Sequence, residues 1–250
     1  MLTVLITVYI VLMLILFLAQ RSLLYYPTSA PLGDTGTSIS LNSNGIELRI
    51  ETANDSAQSA ILYFGGNAES AIQSIQHMQP VLGDNALYFM NYRGYGGSLS
   101  NPTESGLYQD ALALYDYAAQ RHKHIRLIGR SLGTGVVTYV ASQRQVEQII
   151  LISPYDSITA VAASHYPIFP IKWLIKDKYD SYNRAHQIAC PSLILAARED
   201  RVVPLKHTLR LIDAMTASQK TVRLFDGVDH NSLDMASGFN RAISDFIAPR

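Results

Sequence analysis

The sequence predicts an α/β domain, a mostly parallel sheet flanked by helices, carried behind one amino-terminal transmembrane helix. Three observations predict it. The first twenty residues hold no charged side chain. Short, nearly continuous apolar runs then recur along the chain, and amphipathic helical patterns separate them. Alternating strands and helices imply parallel pairing with helices on both faces.

Residues 2–19 read L-T-V-L-I-T-V-Y-I-V-L-M-L-I-L-F-L-A. At about 1.5 Å per residue, roughly 20 residues cross the hydrocarbon core. Thr3 and Thr7 can bond back to the helix, Arg21 ends the span, and Tyr25 and Tyr26 are expected at headgroup level. A cleaved signal peptide is the competing reading. Against it, no Lys or Arg precedes the apolar run and no small-x-small pattern follows at once, Ser29-Ala30 being the nearest approach. Arg21 alone leans weakly to a cytoplasmic catalytic domain and does not set the membrane side. The chain thus divides into an anchor at 1–20, a linker at 21–36 and a domain at 37–250.

Thr37–Thr52 reads as a hairpin, with Ser38–Leu41 and Ile46–Ile50 flanking an Asn44-Gly45 turn. Apolar runs follow at Ala60–Phe64, Ala86–Met90, Ile125–Ile128, Ile149–Ile152, Ser192–Ala196 and Thr221–Phe225. Each has the form of a strand buried on both faces. Ser105–Arg121 reads as a helix with Leu107, Ala111, Leu114, Tyr115 and Ala118 on one face. Leu205–Ala217 repeats this with Leu209, Ile212 and Met215, and Ala236–Ile247 with Phe239, Ala242, Ile243 and Phe246.

Composition excludes several functions. Lys plus Arg is 20 and Asp plus Glu is 20, so no basic face for nucleic acid is expected. Only 16% of residues are charged, which argues against disorder. Cys190 is the single cysteine, so neither an intrachain disulfide nor a multi-Cys zinc site can form. No H-E-x-x-H or phosphate loop occurs, and no metal or organic cofactor is expected.

The chemistry begins where strand Ile125–Ile128 meets Gly129-Arg130-Ser131-Leu132-Gly133. This G-x-S-x-G match precedes the small-faced helix 134–141, the strand–turn–helix setting of a nucleophile elbow. A chance match is expected only about 0.08 times in a chain of this composition. Side chains at the flanking glycines would strike the neighbouring strand and helix. Ser131 also stands at a helix amino terminus, which favours negative charge.

A nucleophilic serine needs a base, and the base an orienting acid. In such a fold they follow in the order Ser, Asp or Glu, then His. His230 fits, in the loop after Thr221–Phe225. His77, His122 and His124 precede the serine, and the last two flank Lys123, which suggests solvated positions. His165, His186 and His207 lie in the presumed cap or on helices. Asp200 is the favoured acid, after Ser192–Ala196; Glu199 is a weaker neighbour and Asp156 a competitor from one strand earlier. The oxyanion donors are expected to be the backbone N–H of Leu132 and, from Gly65-Gly66-Asn67-Ala68-Glu69-Ser70, that of Asn67.

These residues resemble the α/β-hydrolase superfamily, and within it a membrane-anchored branch of serine hydrolases. That branch holds depalmitoylating thioesterases and lysophospholipid lipases, often labelled serine-aminopeptidase-like. The resemblance covers nearly the whole chain. It runs through Arg21–Pro27 (R-S-L-L-Y-Y-P), Leu62–Ala68 (L-Y-F-G-G-N-A), Asn91–Ser98 (N-Y-R-G-Y-G-G-S), Gly129–Gly135 (G-R-S-L-G-T-G), Glu199–Pro204 (E-D-R-V-V-P) and Asp229–Asn231 (D-H-N). It implies Ser131 as nucleophile, Asp200 as acid and His230 as base. The family's usual His-Gly-Asn is here Gly65-Gly66-Asn67. The N-Y-R-G-Y-G-G-S stretch reads as a buried loop below the site.

The resemblance also implies a cap at about 157–189. Tyr166, Phe169, Trp173, Leu174 and Ile175, edged by Lys172, Lys176 and Lys178, suit an acyl or lipid-like substrate beside a membrane. A helical hairpin packed for stability is the other reading. The expected activity is cleavage of carboxylic esters or thioesters through an acyl-enzyme, falling as His230 protonates in acid. Two alternatives stand beside it. A peptidase on the same residues would need Glu69 or Asp156 to hold a substrate amine. A non-catalytic membrane-tethered binding protein would give no reason for all three side chains.

Overall fold

The computed structural model describes residues 1–31, 38–216 and 220–248. Thr37 of the expected hairpin, the linker residues 32–36 and Ala217 of the expected helix lie outside the described residues.

Helix α1 (Leu2–Leu24) has 23 residues, about 34 Å at the helical rise, and is apolar on every side until Gln20. Thr7 bonds back to the Thr3 carbonyl at 2.9 Å. Arg21 does not end the helix, which runs one turn further before Tyr25 turns extended. Tyr25 is buried in the domain core rather than set among headgroups, and its hydroxyl meets that of Tyr179 at 2.9 Å. Helix α1 is thereby pinned to the domain at its end.

Eight strands form one sheet, β1 (Ser38–Ser43), β2 (Ile46–Ala53), β3 (Ser59–Phe64), β4 (Ala86–Met90), β5 (His124–Arg130), β6 (Gln148–Ile152), β7 (Ser192–Ala197) and β8 (Lys220–Phe225). Their order is β1-β2-β4-β3-β5-β6-β7-β8. The first two strands pair antiparallel, β2 runs antiparallel to β4, and the remaining pairs are parallel. Asn44 and Gly45 both take positive φ, 51° and 83°, as a two-residue turn matched to strand twist requires.

Helices α3 (Glu104–Ala119) and α4 (Leu132–Gln143) cover one face of the sheet. Helices α2 (Ala71–Leu82) and α8 (Phe239–Ile247) cover the other. The alternation of β3 divides the two cores, with Ala60, Leu62 and Phe64 on the first side and Ile61 and Tyr63 on the second. All five apolar positions expected on α3 are buried. Thr103 caps that helix by accepting from the Gly106 amide at 3.0 Å.

Three details depart from the sequence reading. Helix α2 carries Pro80 in its last turn, and its periodic Ala71, Ile75, Met78 and Leu82 are diluted by Gln and Ser, so the apolar pattern does not mark it. Strand β8 lies at the sheet edge and exposes most of its side chains, although its apolar run suggested burial on both faces. In α7 (Leu205–Ala214) the buried positions are His207, Thr208 and Leu211, while Leu209 is exposed. Two of those buried residues are polar and satisfied by hydrogen bonds, which periodicity in apolar residues cannot register.

The N-Y-R-G-Y-G-G-S loop is held by a buried ion pair. Arg93 forms a bidentate bridge to Asp110 on α3 at 2.7 and 2.6 Å, with the carboxylate fully buried. Removing one partner of such a pair leaves an uncompensated buried charge. Asp110→Ala should therefore cost about 3–5 kcal/mol, read as a fall in the urea midpoint at constant slope.

Candidate active site

The site lies at the carboxyl ends of the parallel strands, where open α/β sheets place their ligands. Strand β5 runs into Ser131, whose φ of 49° and ψ of −115° are strained for a residue with a side chain. The Ser131 amide donates to the Ile152 carbonyl at 2.8 Å and holds the turn against β6. The turn exists because its glycines leave room. A Cβ at Gly129 would stand 2.6 Å from the Gly133 carbonyl oxygen, and one at Gly133 would stand 1.9 Å from that of Phe64.

Ser131, His230 and Asp200 come together although their loops follow β5, β8 and β7. His230 Nε2 lies 3.0 Å from Ser131 Oγ, and Nδ1 lies 2.7 Å from Asp200 Oδ2. With Nδ1 protonated, the ring donates to Asp200 and offers Nε2 to the serine hydroxyl. The other Asp200 oxygen accepts the amides of Val202 and Val203 at 2.9 and 2.7 Å, which orients the carboxylate. Both His230 and Asp200 are buried. The turn before the ring is tied by Asp229, whose carboxyl is held below the usual carboxylate range by the Ser232 hydroxyl and the Ser232 and Asn231 amides.

Asp156, the competing acid, is elsewhere. It is buried beside His207, 3.0 Å from Nδ1, and also meets Arg210 at 3.3 Å. His207 Nε2 lies 3.1 Å from Ser164 Oγ, so a second Ser-His-Asp series exists. It lacks the rest of the machinery. Ser164 sits near the end of helix α5 (Ile158–His165), its hydroxyl donates to Val161 O at 2.9 Å, and helical amides there are consumed within the helix. These bonds fasten α5 to α7.

The loop expected to supply the second oxyanion donor follows β3. A Cβ on Gly66 would stand 3.8 Å from that of Ser131, so the loop lies against the serine. Its two successive amides have different fates. The Gly66 N–H donates to Glu69 Oε2 at 2.7 Å. The Asn67 N–H finds no acceptor among the described residues, and neither does that of Leu132 at the first turn of α4. Both are available to a developing oxyanion.

Residues not singled out from the sequence hold this loop. Tyr92 donates to the Gly65 carbonyl and Tyr95 to the Asn67 carbonyl, each at 2.8 Å. Tyr155 donates to the Leu132 carbonyl at 3.0 Å and fixes the first turn of α4. Glu69 also accepts from the Tyr63 hydroxyl at 2.6 Å and from Ser74 at 2.5 Å. The tyrosines are buried, and burial pushes the Tyr92 and Tyr63 phenols well above their ordinary value, so they remain donors. Arg130 lies behind the loop. Burial pulls its pKa down, but Glu69, Tyr63 and Asp234 outweigh that and raise it. Glu69 fills the space beside Gly65, 3.2 Å from where a Cβ would stand.

His122 departs from the solvated position expected of it. It is buried, and its ring nitrogens meet the Tyr88 hydroxyl and the Ala57 carbonyl at 2.7 Å each. The segment 157–189, expected as a cap, holds α5, α6 (Ile171–Leu174) and a 3₁₀ turn at Tyr182–Gln187.

No protein-family profile matches the chain. An uncharacterized protein of Mycobacterium tuberculosis is 30% identical over 238 residues, covering 88% of this chain and 83% of that one. Lysophosphatidylserine lipase ABHD12 of Danio rerio is 32% identical over 194 residues, covering 68% of this chain and 50% of the lipase. The chain thus spans about half the length of that curated lipase. In structure, alpha/beta hydrolase domain-containing protein 10 from mouse superposes with a TM-score of 0.66 at 18% identity, covering 84% of this chain and 98% of that one.

Proposed function

Because the chain belongs to the α/β-hydrolase superfamily, among serine hydrolases of the esterase and lipase type, we propose that it cleaves carboxylic ester or thioester bonds of acyl or lipid-like substrates at Ser131. The observation that carries this reading is the continuous run from Asp200 Oδ2 through the His230 ring to Ser131 Oγ, at 2.7 and 3.0 Å.

Ser131 attacks the carbonyl as Nε2 of His230 takes its proton. Asp200 keeps the ring in the useful tautomer and steadies the imidazolium. The amides of Leu132 and Asn67 receive the charge on the carbonyl oxygen, pre-aimed because their loops are already bonded elsewhere. His230 returns the proton to the leaving alkoxide or thiolate. Water, deprotonated by the same ring, then attacks the acyl-enzyme, and the ring returns that proton to Ser131 Oγ as the acid leaves. Helix α1 fixes the enzyme at a membrane, beside lipid substrates.

The peptidase reading gains no support from its proposed amine-binding residues. Glu69 is occupied by Tyr63, Ser74 and Gly66, and Asp156 by His207, Arg210 and the Ser157 amide. Turnover of p-nitrophenyl esters and acyl thioesters, with none of aminoacyl amides, is the expected result. Preferential turnover of the amides would overturn it.

Asp200→Asn tests the orienting acid. An asparagine amide that donates to Nδ1 imposes the wrong tautomer, so kcat should fall about 10⁴-fold with KM little changed. A loss confined to KM would show that Asp200 only shapes the loop.

A further inference from the structure

A groove of about 180 Å³ lies between the anchor and the cap, open along one side. From α1 it is walled by Met13, Leu16 and Phe17, and from the cap by Ile158, Ala162 and Phe169. The wall of α1 recurs at three- and four-residue spacing, so one stripe of the helix faces the cap. Resting on Ser131 as the nucleophile of an ester hydrolase, we propose that this groove is the acyl-chain port of the site. The anchor helix supplies one wall, and a fatty acyl chain passes from the bilayer between α1 and the cap toward Ser131.

The inner end of the groove adjoins the oxyanion loop. Leu24, which lines it, accepts from Asn67 Nδ2 at 3.1 Å, and the Tyr26 amide donates to the Asn67 carbonyl at 3.1 Å. The carboxyl end of the anchor therefore positions the residue whose own amide faces the reacting carbonyl. Of the polar residues in the lining, Gln20 bonds the Leu174 carbonyl and the Lys176 amide, Asp177 bonds Arg21, and Tyr166 brings a hydroxyl. The rest of the lining is apolar.

The outer end lies along the apolar helix. Tyr9 sits about 18 Å from Arg21 at the helical rise, and there it still touches the cap. Its hydroxyl donates to the Ile168 carbonyl at 2.7 Å, and its ring stacks on Phe169 with centroids 5.6 Å apart. A carbonyl at bilayer depth has no water to bond, so this donor is what such a depth demands. Ile168 and Trp173, 70% and 88% exposed, point away from the domain. In water those surfaces are unfavourable; in lipid they are solvated.

A single acyl chain fits this shape. An apolar cavity of about 150 Å³ stays dry and takes a guest of benzene size. The groove thus encloses a comparable length of chain and leaves the rest in the bilayer.

Full-length protein in phosphatidylcholine nanodiscs tests the port. Trp173 is the only tryptophan, so its emission reports the cap alone. Lipids brominated on the acyl chain should quench it; emission unchanged by them would overturn the proposal. Leu16→Phe narrows the groove from the anchor side, outside the folded core. It should lower the ratio of kcat/KM for p-nitrophenyl palmitate over p-nitrophenyl butyrate at least about tenfold, and Ala162→Phe should do so from the cap side. A ratio within about twofold of wild type for Leu16→Phe would overturn the port and leave the hydrolase reading standing. Wild-type protein that cleaves neither ester would remove the hydrolase reading and the port together.

Discussion

Ser131→Ala should lower kcat for ester hydrolysis by about 10⁶-fold while the protein keeps its fold. The loss is that large because, among the described residues, the Ser131 hydroxyl is the nucleophile bonded to His230 Nε2, at 3.0 Å. Alanine also relieves no clash, since Ser131 already occupies its strained conformation for reasons set by the turn. His230→Ala should cost about as much, because without a base the serine is not activated. The double variant should be no worse than either single one, as groups acting in one step are strongly non-additive. Initial rates on p-nitrophenyl butyrate, with thermal unfolding as the control for folding, check all three.

Gly133→Ala should destabilise the protein by about 3 kcal/mol or more and abolish activity with it. The added methyl would stand 1.9 Å from the Phe64 carbonyl oxygen and 2.8 Å from that of Gly65. Both are backbone atoms at the start of the oxyanion loop, so relief requires β3 and α4 to part. Gly227 provides the contrast. Its φ of 71° is unfavourable for alanine, but no atom lies within 4 Å of the added carbon. Gly227→Ala should cost only about 1 kcal/mol, the conformational term alone. Urea midpoints of the two variants separate crowding from backbone strain. Equal losses would mean that the elbow glycine serves its backbone angles rather than the approach of β3 to α4.

The strand sequence and the elbow were legible because both depend on local pattern. Short, nearly continuous apolar runs gave six of the strands and the Asn44-Gly45 turn the first two, each end within three residues, and Gly129, Ser131 and Gly133 announced the turn through spacing and small size. His230 and Asp200 followed from chain order, since each parallel strand delivers its loop to the same edge of the sheet. Legibility ended where polar groups replaced apolar ones. His207 and Thr208 are buried because partners from β6 and its loop satisfy them, and no partner is visible in a linear pattern. Tyr92 and Tyr95 look like ordinary aromatic residues until the fold carries Gly65 and Asn67 to their hydroxyls. Tyr25 is similar: its place just past the apolar span favours an interface, whereas Tyr179, 154 positions away, draws it into the core. The contact of α1 with Ile168, 159 positions from Tyr9, is equally long-range.

The most direct measurement is the mass of tryptic peptides from full-length protein treated with a fluorophosphonate. One adduct is expected, on Ser131, lost in His230→Ala as the hydroxyl loses its base. An adduct on Ser164, the serine of the second Ser-His-Asp series, or a wild-type protein that stays folded and unlabelled, would contradict it.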